Sequence, residues 1–281
     1  MSLLVFGATG ALGRLVLPEL RKRGVAAADI TAAGRNQQVL EALAIDGYRT
    51  IRVDLDDADQ TRAAIAGHDQ VVLVSGNEPQ RLQQHRAVID AAKTAGVRYF
   101  FYTSGVRVDD PSFVLGGDHI ATEEAIKQSG LRYTILRNGY YIENYIGAMQ
   151  GAAQTGVLTA AVGDGHVAPA GRRDLAEALA VVVTTDEHDD KTYSLTGDTN
   201  YTYADLADAM AEVLGEPVQY QPVNAEQYQT ILTDAGHDER TAVFLAALDG
   251  NLGAGIMAHA GDDLTRLIGR PTMSLTEGLS Q

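Results

Sequence analysis

Read for apolar and polar positions, the first half of the chain falls into short apolar runs separated by longer amphipathic stretches. LLVF (3–6), DITAAG (29–34), RTIRVD (49–54), QVVLVS (70–75), RYFFYTS (98–104) and RYTILRN (132–138) are rich in β-forming residues. Segments of about helix length lie between them, the pattern of buried strands joined by crossover helices. The order predicts an α/β protein built on a Rossmann-type doubly wound parallel sheet. Pro18 is a misfit inside LVLPELRKRG, because a proline ring there should kink or break a helix. Leu15, Leu20 and a stop at Gly24 still favour a helix over this segment.

After Gly139 the rhythm changes. A helix-like ENYIGAMQGAAQTG (143–156) is followed by a turn at VGDGH, a helical RRDLAEALAVVV (172–183) and a strand KTYSLTG (191–197). Thr202 then caps YADLADAMAEVLG, and the tail DDLTRLIGRPT reads as a helix with a Gly-x-Pro stop. Strand runs are fewer and shorter here. The chain is therefore divided into a Rossmann domain over residues 1–140 and a smaller α+β lobe over 141–281 that closes over the ligand crevice. KTYSLTG is the segment expected to return to the main sheet. Gly250, Gly253 and Gly255 in DGNLGAG are expected to mark a mobile loop.

Composition narrows the class. At 281 residues and 45% hydrophobic the chain can bury a sizeable core. No apolar run approaches the roughly 18 residues of a membrane span, and a strand-like run starts at Leu3 without a signal-peptide pattern, so a cytoplasmic protein is expected. Cysteine is absent, which removes disulfides, thiolate metal sites and a cysteine nucleophile together. Asp and His show no metal-ligand spacing, and no metal is expected. A net charge of −15 makes nucleic acid and membrane surfaces poor partners. Oligomeric state is left open, with a homodimer among the options. An anionic ligand must be held by local cations and backbone N–H groups against the overall field.

LVFGATGALG (4–13) supplies such N–H groups: a buried strand runs through Gly7, Gly10 and Gly13 into a helix. Gly7 allows the sharp turn, Gly10 lets backbone approach a pyrophosphate, and Gly13 permits close helix packing, with the anion at the helix N-terminus. Thr9, Ala11 and Leu12 belong to the same dinucleotide-binding turn. The second strand ends in TAAGRNQQ, with no acid to bind ribose hydroxyls. Arg35 stands there instead, able to pair with a 2′-phosphate and with no carboxylate beside it in the sequence, which favours NADP(H). Asp54 is placed to accept from the adenine amino group, and Asp56 and Asp57 to cap the next helix. Ser75, Gly76 and Asn77 end the fourth strand at the crevice edge, where ribose and phosphate would pass.

GATGALG, GRN, YTSG (102–105), HIATEEAI (119–126), LRNGYYIENY (136–145) and DDLTRLIGRPT together resemble the NmrA-like atypical short-chain dehydrogenase/reductases. Within that group the chain is most similar to the bacterial NAD(P)H:quinone oxidoreductases of the second type and the triphenylmethane dye reductases. The resemblance implies a Rossmann domain with a small C-terminal lobe, NADPH at the strand ends and an aromatic acceptor against the nicotinamide. It also implies that Asn138 and Gly139 contact the nicotinamide, Asn138 through the carboxamide. Tyr140 and Tyr141 then supply an acceptor-binding ring, one stacking and one packing.

Ordinary short-chain dehydrogenases place Tyr-x-x-x-Lys after the fifth strand. Aligned on Glu123, the lysine position is His119 and the tyrosine position Leu115, on what reads as the opening turn of a helix; no Tyr-x-x-x-Lys occurs in the chain. Reversible alcohol oxidation needs a proton relay for a very basic alkoxide and is disfavoured. A quinone makes a weaker demand, because the hydroquinone anion spreads its charge over the ring and takes a proton from water. His119 is read as a ribose contact or proton donor, or else as a helix-face partner of Glu123. Ser104 either orients a carbonyl or caps its strand end. His119, Tyr140 and Ser104 are the catalytic candidates. His85 and Arg86 are assigned to helix packing, His166 to solvent, and Tyr201 and Tyr203 to packing at a helix start.

The expected activity is NADPH-dependent hydride transfer to quinones or similar flat conjugated acceptors. The alternative is a non-catalytic NADP(H)-binding redox sensor of the NmrA type. Nucleotide-sugar epimerase chemistry is disfavoured by the missing tyrosine and lysine.

Overall fold

A computed structural model describes residues 2–281. Two compact units share the chain: the first comprises the residues up to Gly105, Gly117–Asn138 and Arg172–Ser194, the second Val106–Gly116, Gly139–Gly171 and Leu195–Gln281. The expected division near 140 coincides with the crossing at Asn138–Gly139, but residues 172–194 belong with the first unit. The helix Arg172–Thr184 packs on the first helix of the fold, and the strand Lys191–Leu195 joins the main sheet. The long apolar run of the helix suits a sheet face, and the polar, mostly exposed strand suits a sheet edge.

The first unit alternates strand and helix: β1 (Leu3–Phe6), α1 (Gly13–Lys22), β2 (Ile30–Gly34), α2 (Gln37–Ile45), β3 (Arg49–Arg52), α3 (Ala58–Ile65), β4 (Gln70–Leu73), α4 (Arg81–Thr94), β5 (Tyr99–Gly105), α5 (Gly116–Ser129) and β6 (Tyr133–Asn138). The seven strands lie in the order β3-β2-β1-β4-β5-β6, with Lys191–Leu195 beyond β6, and every pair from β3 to β6 is parallel. All four residues of β1 are buried, as a central strand covered on both faces requires. Leu4 and Phe6 pack in one cluster with Ile65 of α3, Val88 of α4 and Ile126 of α5. The strand order reverses at β1, between β2 and β4, which is where open α/β sheets bind ligands beyond the carboxyl ends of their strands.

Pro18 stays inside α1 without ending it. It faces solvent, so the carbonyl that loses its N–H partner lies on the side open to water. Leu115 stands one residue before α5, outside the helix that carries His119.

The second unit pairs Val157–Ala160 with Gln219–Pro222 in parallel and His166–Val167 with Tyr201–Thr202 antiparallel. Thr202 and Asp205 form a reciprocal capping box at the start of the helix Tyr203–Leu214. Its core joins Met149, Leu206, Met210 and Leu252 to Tyr145 and Tyr203. The loop expected over DGNLGAG is corrected: Gly250 and Gly253 lie inside the helix Glu239–Gly253. A Cβ on Gly253 would come within 2.8 Å of the Val162 carbonyl oxygen, so close backbone approach explains that glycine. Among the described residues no helix is long and apolar enough to cross a membrane.

Candidate functional site

At the β1–α1 turn Gly7 adopts φ +75°, and a Cβ on Gly13 would sit 2.2 Å from the Gly7 carbonyl oxygen. The chain folds back on itself too tightly for side chains at these positions. α1 begins without a side-chain cap and without an acid in its first turn. Arg14 and Leu15 already donate their amides to the Gly10 and Leu12 carbonyls, so an anion at this end meets the positive dipole end of α1 and the turn ahead of it, without a competing carboxylate. Thr9 is half-buried against Gly34, where a Cβ would come within 2.4 Å of the threonine hydroxyl oxygen. Gly10 and Ala11 are exposed at the turn, and Leu12 anchors it in the core. A backbone cradle with an uncapped helix end fits a dinucleotide pyrophosphate.

In the GRN segment Gly34 ends β2 and Asn36 caps α2 by accepting from the Val39 N–H at 3.2 Å. Arg35 stands exposed between them, but not alone: its guanidinium pairs with Glu78 from the loop after β4. Asp56 is close enough to feel the same charge. The expectation that no carboxylate lies beside Arg35 is therefore corrected in space. Glu78 is 43 residues away in the chain, so local sequence could not show the pair. Gly76 adjoins the Glu78 carboxylate, and Asn77 is exposed in the same loop. Ser75 donates its N–H to the Thr103 hydroxyl at 2.9 Å. Asp54 is exposed and accepts from the Asp56 N–H at 3.1 Å. Asp57 caps α3 through the Asp59 and Gln60 N–H groups. Asp56 does not cap it: it accepts from the side-chain amides of Gln80 and Gln84 and so ties the α3 turn to the start of α4.

The most ordered polar chemistry lies between β5 and α5. Tyr102 and Ser104, two apart on β5, share one face; His119 and Glu123, four apart on α5, share another. Two strand residues rise about 6.6 Å and four helix residues about 6 Å, so the pairs match as rungs. The Tyr102 hydroxyl lies 2.7 Å from His119 Nδ1, and the Ser104 hydroxyl donates to Glu123 Oε1 at 2.7 Å. Glu123, fully buried, also accepts from Arg137 Nε at 2.9 Å and Nη2 at 2.8 Å, with Lys127 Nζ at 3.5 Å. YTSG, HxxTE and LRN, separate words in the sequence, are thus one assembly.

This places the catalytic candidates differently from the sequence reading. Ser104 is neither a strand cap nor a donor toward a carbonyl, because its one hydroxyl proton points at a buried carboxylate. Glu123 serves Ser104 and Arg137, and the His119 ring turns to Tyr102 instead of pairing with Glu123. Burial, with the Arg81 charge second, pushes His119 down to about 4. Its imidazole is neutral at pH 7. His85, assigned to packing, is buried in the same group, 3.0 Å from the Thr122 hydroxyl and 3.4 Å from the Tyr102 hydroxyl. The i,i+2 and i,i+4 spacings were the signal for Tyr102; nothing in the sequence pointed to Glu78.

Asn138 is buried at the end of β6. Within the second unit, Gly139 donates its N–H to the Leu195 carbonyl at 2.8 Å. The Tyr140 ring lies 5.3 Å from that of Tyr145, which meets Tyr203 at 5.8 Å, and Tyr203 meets Tyr220 at 5.6 Å. Tyr203 is therefore part of a tyrosine chain beyond ordinary helix-start packing. Tyr141 is half-buried and forms a bridge with Ala170. Asp249 accepts from the Ala161 N–H at 2.8 Å, and burial pushes its carboxyl up to about 6.

A family model described as NAD(P)H-binding matches residues 7–186, from the glycine turn to the end of the helix that packs on α1. The chain belongs to this NAD(P)H-binding family. Quinone oxidoreductase 2 of Escherichia coli K12 is 38% identical over 277 residues, covering 98% of this chain and 96% of that protein. A crystal structure of the E. coli NADPH-dependent quinone oxidoreductase QOR2 complexed with NADPH superposes with a TM-score of 0.94 at 37% identity, covering 99% of this chain and 98% of that one. The Citrobacter sp. triphenylmethane reductase complexed with NADP(H) gives a TM-score of 0.94 at 33% identity, over 100% and 99% of the two chains. The Rossmann sheet, the binding of NAD(P)H and the kinship with quinone and triphenylmethane reductases expected from the sequence all hold for this family member.

Proposed function

We propose that this NAD(P)H-binding protein is an NADPH-dependent reductase of quinones or similar flat, conjugated acceptors, working in the cytoplasm. The observation that carries the reading is that the position of a dehydrogenase lysine is held by His119, a half-buried, neutral imidazole without a partner tyrosine at position 115. Such a site donates a hydrogen bond but has no relay for an alkoxide proton. A hydroquinone anion asks for no more than that.

When bound, NADPH supplies the hydride. The chain's residues hold and orient it: the turn over Thr9, Ala11 and Leu12 and the positive end of α1 take the pyrophosphate, while Gly10, donating its amide to the Gly7 carbonyl, keeps the turn tight. Arg35 takes the 2′-phosphate, displacing Glu78, and Asp54 the adenine amino group. Ser75, Gly76 and Asn77 follow the ribose and phosphate path, and Asn138 and Gly139 the nicotinamide amide. Tyr140 stacks on the acceptor and, with Tyr141, excludes water from it. His119 donates from Nε2 to ribose or to the oxygen that gains charge.

The test is loss of NADPH absorbance with a panel of quinones and triphenylmethane dyes. Oxidation above blank with at least one acceptor supports the reductase. Tight NADPH binding with no oxidation by any acceptor would instead favour a redox sensor.

A further inference from the structure

Inside the first unit, five hydrogen-bonding groups form one chain whose direction follows from its fixed end. The Thr122 hydroxyl donates to the Asp118 carbonyl oxygen at 2.7 Å. A backbone carbonyl only accepts, so that hydroxyl proton is committed. His85 Nδ1, 3.0 Å from the Thr122 oxygen, must then carry a hydrogen and donate. The Tyr102 hydroxyl touches two imidazole nitrogens: His85 Nδ1 at 3.4 Å, which already bears a proton, and His119 Nδ1 at 2.7 Å. The Thr122 oxygen is a further neighbour of this hydroxyl but already takes the His85 hydrogen, and the 2.7 Å contact, the shortest of the set, directs the tyrosine proton to His119. With Nδ1 accepting, a neutral ring holds its own hydrogen on Nε2, which has no hydrogen-bond partner among the described residues.

We propose that Tyr102 is a positioning residue that holds His119 as the neutral Nε2–H tautomer, so that His119 presents a fixed hydrogen-bond donor and never serves as the acid. The groups facing His119 agree. Arg81 of α4 opposes a second proton, His85 lies beyond Tyr102, and Asp118 of α5, which favours one, is paired with Arg81 at 2.9 Å. Burial is the largest cause of the low His119 pKa and acts in the same direction. Tyr102 is itself fully buried, which raises its hydroxyl well above ordinary phenols, so it remains a donor across the physiological range. The lysine of ordinary dehydrogenases donates through a charge; here a tyrosine achieves a donor without one.

The effect on turnover rests on the reading of the protein as an NADPH-dependent reductase, whereas the tautomer does not. The experiment uses the full chain labelled with 15N-histidine, with and without NADPH, reading two-bond 15N–1H correlations from pH 5.5 to 8. His119 is assigned by its loss in His119→Gln. The expected wild-type pattern is Nε2–H, unchanged across that range. In Tyr102→Phe the pattern shifts toward a tautomer mixture and the titration of His119 moves upward. Quinone reduction falls about tenfold in kcat with KM unchanged, as for loss of a residue that orients a working imidazole. An Nδ1–H pattern in the wild type, a His119 midpoint inside the range, or an unaltered His119 in Tyr102→Phe would each overturn the proposal. If the variant does not fold, the wild-type spectrum alone still decides the direction of the chain. If no acceptor is reduced but the Nε2–H pattern is found, the reductase reading fails and the tautomer assignment stands.

Discussion

Arg35 shows how much one side chain's meaning depends on its neighbours in space. Read in sequence it is a cation at the end of β2, suited to a phosphate; in the fold it is held by Glu78. Arg35 is exposed and Glu78 partly so, and on the proposed reading the carboxylate is the competitor that a 2′-phosphate would displace. Arg35→Ala should weaken NADPH binding by about tenfold or more, the worth of a charge-assisted hydrogen bond, and leave NADH within about twofold. Glu78→Gln should tighten NADPH and leave NADH unchanged. Calorimetric titration of both cofactors with both variants checks this. Equal losses for NADPH and NADH in Arg35→Ala would mean that Arg35 does not read the phosphate. Asp57 and Thr202 were legible as helix caps because a cap acts within three residues. Glu78 was not legible because its partner arrives from another loop.

Among the elements, β5 and α5 set the site through a coincidence of rise. A strand repeat of two and a helix repeat of four are nearly equal lengths, so two rungs of polar groups close at once. The lower rung is structural. Glu123 is fully buried and held by Ser104 and Arg137, and removing one member leaves the others charged or unpaired in the interior. Glu123→Ala should lower stability by about 3–5 kcal/mol in a denaturant melt. A loss under about 1 kcal/mol would mean that water already reaches the pair. The segments that hold these rungs were plain in the sequence, since apolar runs and amphipathic periods are local. That His119 would turn to Tyr102 and not to Glu123 was not, because both partners stand at allowed spacings and only the packed register chooses. Gly253 was misjudged for a related reason. A glycine that relieves a helix packing on a distant carbonyl has the same letter as one that loosens a loop.

At the scale of the whole molecule, buried titratable groups set opposing pH dependences. His119 and His85 are pushed down, to about 4 and about 3, below an unfolded value near 6.5. Their contribution is complete above pH 6.5 and is lost as pH falls toward those values. Asp249 has the opposite sign: its carboxyl is raised from 3.8 to about 6, so it costs stability as pH rises through that range. Asp249→Asn keeps an acceptor for the Ala161 N–H and should stabilise the protein by up to about 3 kcal/mol at pH 8, with no gain at pH 3.5. Melting curves at the two pH values test it; an equal shift at both would remove ionisation as the cause. The sequence by itself determined the class of sheet, the dinucleotide turn and the lack of a tyrosine–lysine relay. These depend on residue period, on glycine's missing Cβ and on the plain inventory of side chains. The tertiary structure alone decided which carboxylate meets Arg35, which hydroxyl meets His119 and that the helix Arg172–Thr184 packs on α1. Those choices are made between groups far apart along the chain, and only a packed interior brings them to one place and forces a single arrangement.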